Sequence, residues 1–123
     1  MKVLVADDDR AFVRLLSARL QAKGMDVTVA QDVVQATIAA RRTRPDAVVL
    51  DISMPGGTGM DVLKRLRDSA QSALTPVIVV SGSSDPALPE QVMKLGADAF
   101  LPKPVDFDAL LAALESAGSP PGV

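Results

Sequence analysis

The chain has 123 residues, 48% of them hydrophobic, enough for one core and too few for a second domain. Its 13 basic and 15 acidic residues are interspersed and leave a net charge of -2, so no basic footprint for direct nucleic-acid binding is expected. It contains no Cys and no His, which excludes disulfides, thiolate nucleophiles, zinc knuckles and a Ser-His-Asp triad.

Strand and helix patterns alternate five times. Lys2 to Ala6 reads as the first strand, and a helix follows from about Arg10 to Lys23, with Phe12, Leu15, Leu16, Ala18 and Leu20 at helical spacing and Gly24 as its stop. Asp9 is the expected N-cap of that helix. Asp26 to Ala30 alternates Val27 and Val29 with polar neighbours, as an edge strand does. An Ala-rich second helix runs from roughly Val33 to Arg42, and Arg41, Arg42 and Arg44 read as its solvated end. Ala47 to Leu50 is the third strand, followed by the glycine-dense loop Met54 to Gly59 and a third helix over about Gly59 to Ser69. Pro76 to Val80 is strand four. Pro86 and Pro89 confine helix four to roughly Leu88 to Leu95, with Gly96 as its C-terminal stop. Strand five spans Ala99 to Leu101, and the last helix about Phe107 to Ala117. This order predicts right-handed βαβ crossovers and a three-layer α/β sandwich over residues 1–117. Residues 118–123 are composed like a linker or a frayed tail. No apolar run approaches the roughly 20 residues that span a bilayer, and no signal peptide is evident, so no membrane partner and a cytoplasmic location are expected.

The apolar strands end on polar residues: the first on Asp7-Asp8, the third on Asp51, the fourth on Ser81, and the fifth on Pro102-Lys103. In an open parallel sheet, residues beyond the carboxyl ends of the strands share one crevice. Three carboxylates, a hydroxyl and an ammonium should therefore converge there. A cluster of acids is costly unless a cation neutralises it, and hard divalent metals prefer oxygen ligands, so the crevice reads as a Mg²⁺ and phosphate site.

The segments Val3-Leu4-Val5-Ala6-Asp7-Asp8-Asp9, Val48-Val49-Leu50-Asp51-Ile52-Ser53-Met54-Pro55-Gly56, Pro76 to Gly82 and Gly96 to Pro104 together resemble the four signature segments of bacterial response-regulator receiver domains. The resemblance implies a CheY-like, flavodoxin-like sheet of five parallel strands in the order 2-1-3-4-5 with five helices. It implies Asp51 as phosphoacceptor and a Mg²⁺ ion held by Asp7, Asp8, Asp51 and the Ser53 backbone carbonyl, with Asp8 a direct ligand and Asp7 acting more through water. Lys103 and Ser81 would contact phosphoryl oxygens, and the Lys103-Pro104 peptide is expected to be cis. Ser81 and Phe100 would form a switch that reshapes the surface of helix four, strand five and helix five. The implied partners are a sensor histidine kinase or phosphotransfer protein supplying the histidine, read by Arg10, Phe12, Val13 and Arg14, and a downstream effector or an output domain. Such a protein is no conventional enzyme, though it would catalyse its own Mg²⁺-dependent aspartyl phosphorylation and dephosphorylation.

Other readings stand beside this one. A phosphohydrolase with an aspartyl nucleophile would want an acid two residues past Asp51, where the chain has Ser53. A nucleotide or flavin module would want a phosphate-cradling loop after the first strand, where Asp7-Asp8-Asp9 would repel phosphate. A receiver-shaped interaction module working without phosphorylation is the remaining alternative. Two departures from the usual receiver pattern are also evident. The glycines from Gly56 to Gly59 suggest a looser loop below the acceptor, and Gly82 suggests mobility after the hydroxyl. Helix five carries Asp106, Asp108 and Glu115 with no Lys or Arg, which favours a monomer or an unusual dimer.

Overall fold

A computed structural model describes residues 1–117, so the expected linker at 118–123 lies outside the described residues. The elements are β1 (Lys2–Ala6), α1 (Arg10–Ala22), β2 (Asp26–Ala30), α2 (Val33–Thr43), β3 (Ala47–Asp51), β4 (Ser53–Met54), β5 (Gly57–Thr58), α3 (Gly59–Asp68), β6 (Val77–Ser81), α4 (Leu88–Lys94), β7 (Ala99–Pro102) and α5 (Phe107–Ala117). Five strands form one parallel sheet in the order β2-β1-β3-β6-β7, which is the expected 2-1-3-4-5 order once the short β4-β5 hairpin is set aside. No described helix is long and apolar enough to cross a membrane.

Side chains alternate across a pleated strand, so each strand feeds two cores. Val3, Val5, Val49, Ile78 and Val80 pack with Val13, Leu16 and Leu20 of α1 and Leu110 and Leu114 of α5. Leu4, Ala6, Val48, Leu50, Val77 and Val79 face the other way, against α2, α3 and α4. The sheet is thus sandwiched between two helical layers. On α1 the buried stripe differs from the expected one: Val13 is buried, whereas Leu15 is 48% exposed and Ala18 is exposed. Val13, Leu16 and Leu20 follow the i, i+3, i+7 spacing, and Leu15 lies outside that arc.

The helix ends follow local chemistry. Asp9 Oδ1 accepts the Phe12 N–H at 3.1 Å and caps α1. Gly24, at φ +82°, and Gly96, at φ +103°, close α1 and α4 with paired backbone bonds. These are Met25 N–H to Leu20 O and Gly24 N–H to Gln21 O in α1, and Ala97 N–H to Val92 O and Gly96 N–H to Met93 O in α4. Both are Schellman closures, whose left-handed residue glycine adopts without a Cβ penalty. α2 ends instead on Arg44 in the left-handed region, at φ 47°, ahead of Pro45. Arg67 ties the far end of the sheet together. Its guanidinium donates to the carbonyls of Gly96 (2.9 Å), Ser72 (3.2 Å) and Thr75 (2.8 Å) and pairs with Asp98 Oδ2 at 3.0 Å. Asp98 Oδ2 also accepts the Val77 N–H that opens β6, at 2.8 Å.

Candidate functional site

The carboxyl ends of β1, β3, β6 and β7 bring together residues far apart in the chain. Asp7 follows β1, Asp51 closes β3, Ser81 closes β6, and Lys103 follows β7. Asp7, Asp51 and Ser81 are the only buried polar or charged residues among those described, at 0%, 4% and 1% exposure. Asp8 is exposed beside them. Carboxylate oxygens of Asp7, Asp8 and Asp51, one from each, all lie within 4.8 Å of one another.

Each group is oriented by its neighbours. Asp7 Oδ1 accepts the Asp9 N–H at 2.9 Å, and Asp51 Oδ1 accepts the Ser53 N–H at 3.3 Å. Ser81 Oγ accepts the Ser83 N–H at 3.0 Å, and the Lys103 N–H donates to Ser81 O at 2.8 Å, fixing the strand that carries the lysine. Lys103 Nζ sits 2.7 Å from Asp7 Oδ2 and 3.9 Å from Asp51 Oδ2. The shorter contact is an ion pair off the alignment of a hydrogen bond, and Asp7 Oδ2 has no aligned donor. The Lys103-Pro104 peptide is cis, as the resemblance implied.

Burial, and then the neighbouring Asp7 carboxylate, raise the Asp51 pKa from 3.8 to about 6, against the lowering pull of Lys103 and the Ser53 N–H. One ammonium, paired with Asp7 and Asp51, stands against three acids and leaves the cluster short of positive charge. A buried carboxylate oxygen without an aligned donor, an exposed carboxylate at the mouth, and an all-oxygen donor set fit a hard divalent cation such as Mg²⁺.

The segment below Asp51 folds back on itself as a short hairpin. Ser53–Met54 pairs antiparallel with Gly57–Thr58 in a tight hairpin turning at Pro55-Gly56, and the Val33 N–H donates to Pro55 O at 3.1 Å, pinning the turn to α2. At Gly59 the chain passes so close to β3 that a Cβ would overlap the Asp51 carbonyl and lie 2.7 Å from Ile52 Cα. Glycine here allows close backbone approach, where the composition had suggested flexibility. A Cβ on Gly82 would meet nothing within 4 Å, so packing does not demand glycine there.

Phe100 pairs with Val79 in the β6-β7 register and packs, half-buried, on the α2-α3-α4 side. Of the residues expected to read a partner, Arg10 and Arg14 are exposed and Phe12 is half-buried, but Val13 belongs to the core and offers no surface. What sequence reasoning missed is the place of Phe12: its ring lies under the Lys103 ammonium, 4.8 Å from Nζ to the centroid. An aromatic near the start of a helix that follows the acidic pair was the available signal, but only the fold shows that β7 delivers the lysine over it.

Comparison with known proteins agrees with this geometry. A sequence model of the response regulator receiver domain matches residues 3–115. The acid tolerance regulatory protein ActR of Rhizobium meliloti (strain 1021) is 36% identical over 112 residues, covering 91% of this chain and 57% of ActR. The chain spans about half the length of ActR and of the mycobacterial response regulator MprA, which it also matches. Among solved structures, the receiver domain of Francisella response regulator 1452 superposes with a TM-score of 0.87 at 33% identity, covering 95% of both chains. The receiver domain of the Pseudomonas aeruginosa PAO1 sensor histidine kinase PA1611, solved with a magnesium ion coordinated in its active-site cleft, superposes with a TM-score of 0.86 at 25% identity, covering 96% of this chain and 98% of that one. The acidic crevice, the strand order and these matches together place the chain in the response regulator receiver domain family of two-component signalling.

Proposed function

We propose that Asp51 is the phosphoacceptor of a two-component phosphorelay, taking a phosphoryl group from a phosphohistidine on a sensor kinase or phosphotransfer protein. The convergence of Asp7, Asp8, Asp51 and Lys103 at one sheet edge carries this reading. These 123 residues contain no His, so the donor imidazole lies outside them. In the transfer, one Asp51 carboxylate oxygen bonds to phosphorus while the P–N bond to the donor breaks. The electron pair leaves with the ring nitrogen, and the donor departs as neutral imidazole when its other nitrogen is protonated. The ionised form of Asp51 is the nucleophile, which needs no general base.

Asp7, Asp8, Asp51 and the Ser53 carbonyl would hold Mg²⁺, which when bound supplies charge neutralisation for the transferring oxygens. The Asp51 Oδ1 bond from the Ser53 N–H orients the carboxylate and leaves Oδ2 facing the lysine. Lys103 would pair with a phosphoryl oxygen, moving from its place between the carboxylates, and Ser81 would donate its hydroxyl to another. The Ser81 hydroxyl, whose oxygen now accepts from the Ser83 N–H, would draw the β6–α4 segment with it. Phe100 would turn inward, and the α4-β7-α5 surface would change for an effector or an output domain. Such a modification acts by biasing a bistable element.

Intact mass after incubation with acetyl phosphate and Mg²⁺ tests this. The wild type is expected to gain one phosphoryl group, absent from Asp51→Asn and from a metal-chelated control. No gain would overturn the acceptor reading in favour of a phosphorylation-independent interaction module.

A further inference from the structure

Four side chains form a row across the face shared by α1, α5 and the segment after β7. The Arg19 guanidinium lies 4.5 Å over the Phe107 ring, and the Phe107 and Phe12 rings stack with centroids 6.3 Å apart at 24°. The Lys103 ammonium lies 4.8 Å over the Phe12 ring. Lys103 therefore has two unlike neighbours, the Asp7 carboxylate at 2.7 Å and an aromatic face. Its side chain is only 20% exposed, so both attractions act with much of the competing water removed. The two contacts differ in what they allow: a carboxylate neutralises the ammonium, whereas a ring attracts it and leaves its charge available to a further anion. A lysine side chain is otherwise long and rotamer-rich, and nothing in its own stem keeps it in the crevice.

We propose that Phe12 is a positioning residue for Lys103. Its ring keeps the ammonium at the acidic cluster, where it competes with a divalent cation for Asp7 and stays within reach of a phosphoryl group on Asp51. The second half of this inference rests on the acceptor reading of Asp51, and the first half does not. Phe107 supports Phe12 from behind, with Arg19 on its other side, so its contribution is smaller and of the same sign.

The inference makes opposite demands on two quantities. Replacing Phe12 with Leu keeps an apolar side chain against the α1-α5 core but removes the ring face, so Lys103 samples solvent more often. Mg²⁺ then meets a weaker competitor and binds about threefold more tightly, while acyl-phosphate formation slows about three- to tenfold, the span set by partly desolvated cation–π contacts. Phe12→Tyr restores both quantities. Loss of packing alone would weaken both together.

The test is carried out on ¹³C,¹⁵N-labelled full chain. In the wild type, the ring current of Phe12 is expected to shift the Lys103 Hε–Cε correlation upfield of those of Lys2, Lys23, Lys64 and Lys94. In Phe12→Leu that correlation is expected to join the others, and in Phe12→Tyr to remain shifted, with amide dispersion preserved in both. Mg²⁺ affinity is read from amide shifts on titration, and the phosphorylation rate from intact mass with acetyl phosphate. Tighter Mg²⁺ binding with slower phosphorylation, rescued by Tyr, supports the proposal. An unshifted Lys103 signal in the wild type, or Mg²⁺ affinity that is unchanged or falls in Phe12→Leu, overturns it. A wild type that takes no phosphoryl group overturns the acceptor reading and the reach of Lys103 toward it, while the Lys103 resonance and Mg²⁺ affinity still decide whether the ring holds the lysine.

Discussion

Gly59 packs directly beneath Asp51: the backbone of residue 59 lies where any side chain would overlap the Asp51 carbonyl, and the Gly59 N–H donates to Ile52 O at 2.8 Å. The start of α3 is thereby buttressed against the end of β3. Gly59→Ala forces main chain to move against main chain, with no flexible side chain to yield. A loss of about 3 kcal/mol in unfolding free energy is expected, at the upper end for overpacking. Urea denaturation measures it, and a loss within error of zero would mean that the two segments separate easily.

Asp51→Asn should stabilise the metal-free protein in a pH-dependent way. The folded-state pKa of Asp51 is raised from 3.8 to about 6. Below the lower value the carboxyl is protonated in folded and unfolded chains alike, so it contributes no penalty. As pH rises through this window the unfolded chain ionises first, and the wild type loses stability until the folded chain ionises too. The gain from Asn is expected to grow between about pH 4 and 6 and to level off above, at on the order of 3 kcal/mol. Thermal melts across pH with chelator present check this, and a gain that shrank with rising pH would contradict the burial argument.

Mg²⁺ should stabilise the wild type by ligand linkage, by about 2.7 kcal/mol at a hundredfold excess over its dissociation constant. Asp8 is exposed, so Asp8→Asn is expected to leave metal-free stability within about 0.5 kcal/mol of wild type and to lose most of the Mg²⁺ gain. Differential scanning calorimetry with and without Mg²⁺ separates the two effects. An equal Mg²⁺ gain in the variant would remove Asp8 from the ligand set.

Arg67→Ala removes four contacts that join α3, the segment after it and the α4-β7 turn. Bonds to a charged donor contribute about 1.5–3 kcal/mol each when isolated, but they share one side chain here, so a total loss of about 3 kcal/mol is expected. Asp51 lies at the opposite end of β3, and acetyl phosphate incorporation under folding conditions should match wild type. A variant that stayed folded but lost phosphorylation would point to coupling along β6.

Ser81→Ala should leave the chain able to accept a phosphoryl group while reducing the spectral difference between free and modified forms around Phe100. Amide and aromatic NMR spectra before and after acetyl phosphate provide the comparison. An undiminished difference would assign the switch to residues other than Ser81.

Much of the fold was legible because local chemistry and tertiary demand coincide. β1, β3 and β6 are apolar runs because both their faces are covered, and Gly24 and Gly96 mark closures that need a left-handed residue. The site residues could be placed at strand ends from the pattern of interruptions alone. What composition could not show was whether a glycine-rich segment is slack or tightly packed. Gly56 to Gly59 reads as loop from composition, and the segment forms a short hairpin bonded to α2, with Gly59 packed against the end of β3. The same limit applies to Leu15 and Val13, neighbours in apolarity whose burial is decided by a rotation of α1 that only contact with the sheet sets. The pairing of Lys103 with Asp7 and Phe12 depends on a rotamer, and no pattern of residue types encodes it.

The division of the interior by the sheet has a consequence for how such a chain diversifies. Phe100 packs among residues of α2, α3 and α4, whereas Phe12 and Phe107 pack among those of α1 and α5. The aromatic proposed to signal and the aromatics that flank the lysine thus share no packing partners across the strands. Substitutions on α1 can accumulate without repacking the Phe100 side of the sheet, whereas α5 packs with α1 and also borders the surface proposed to change, so substitutions there would bear on both.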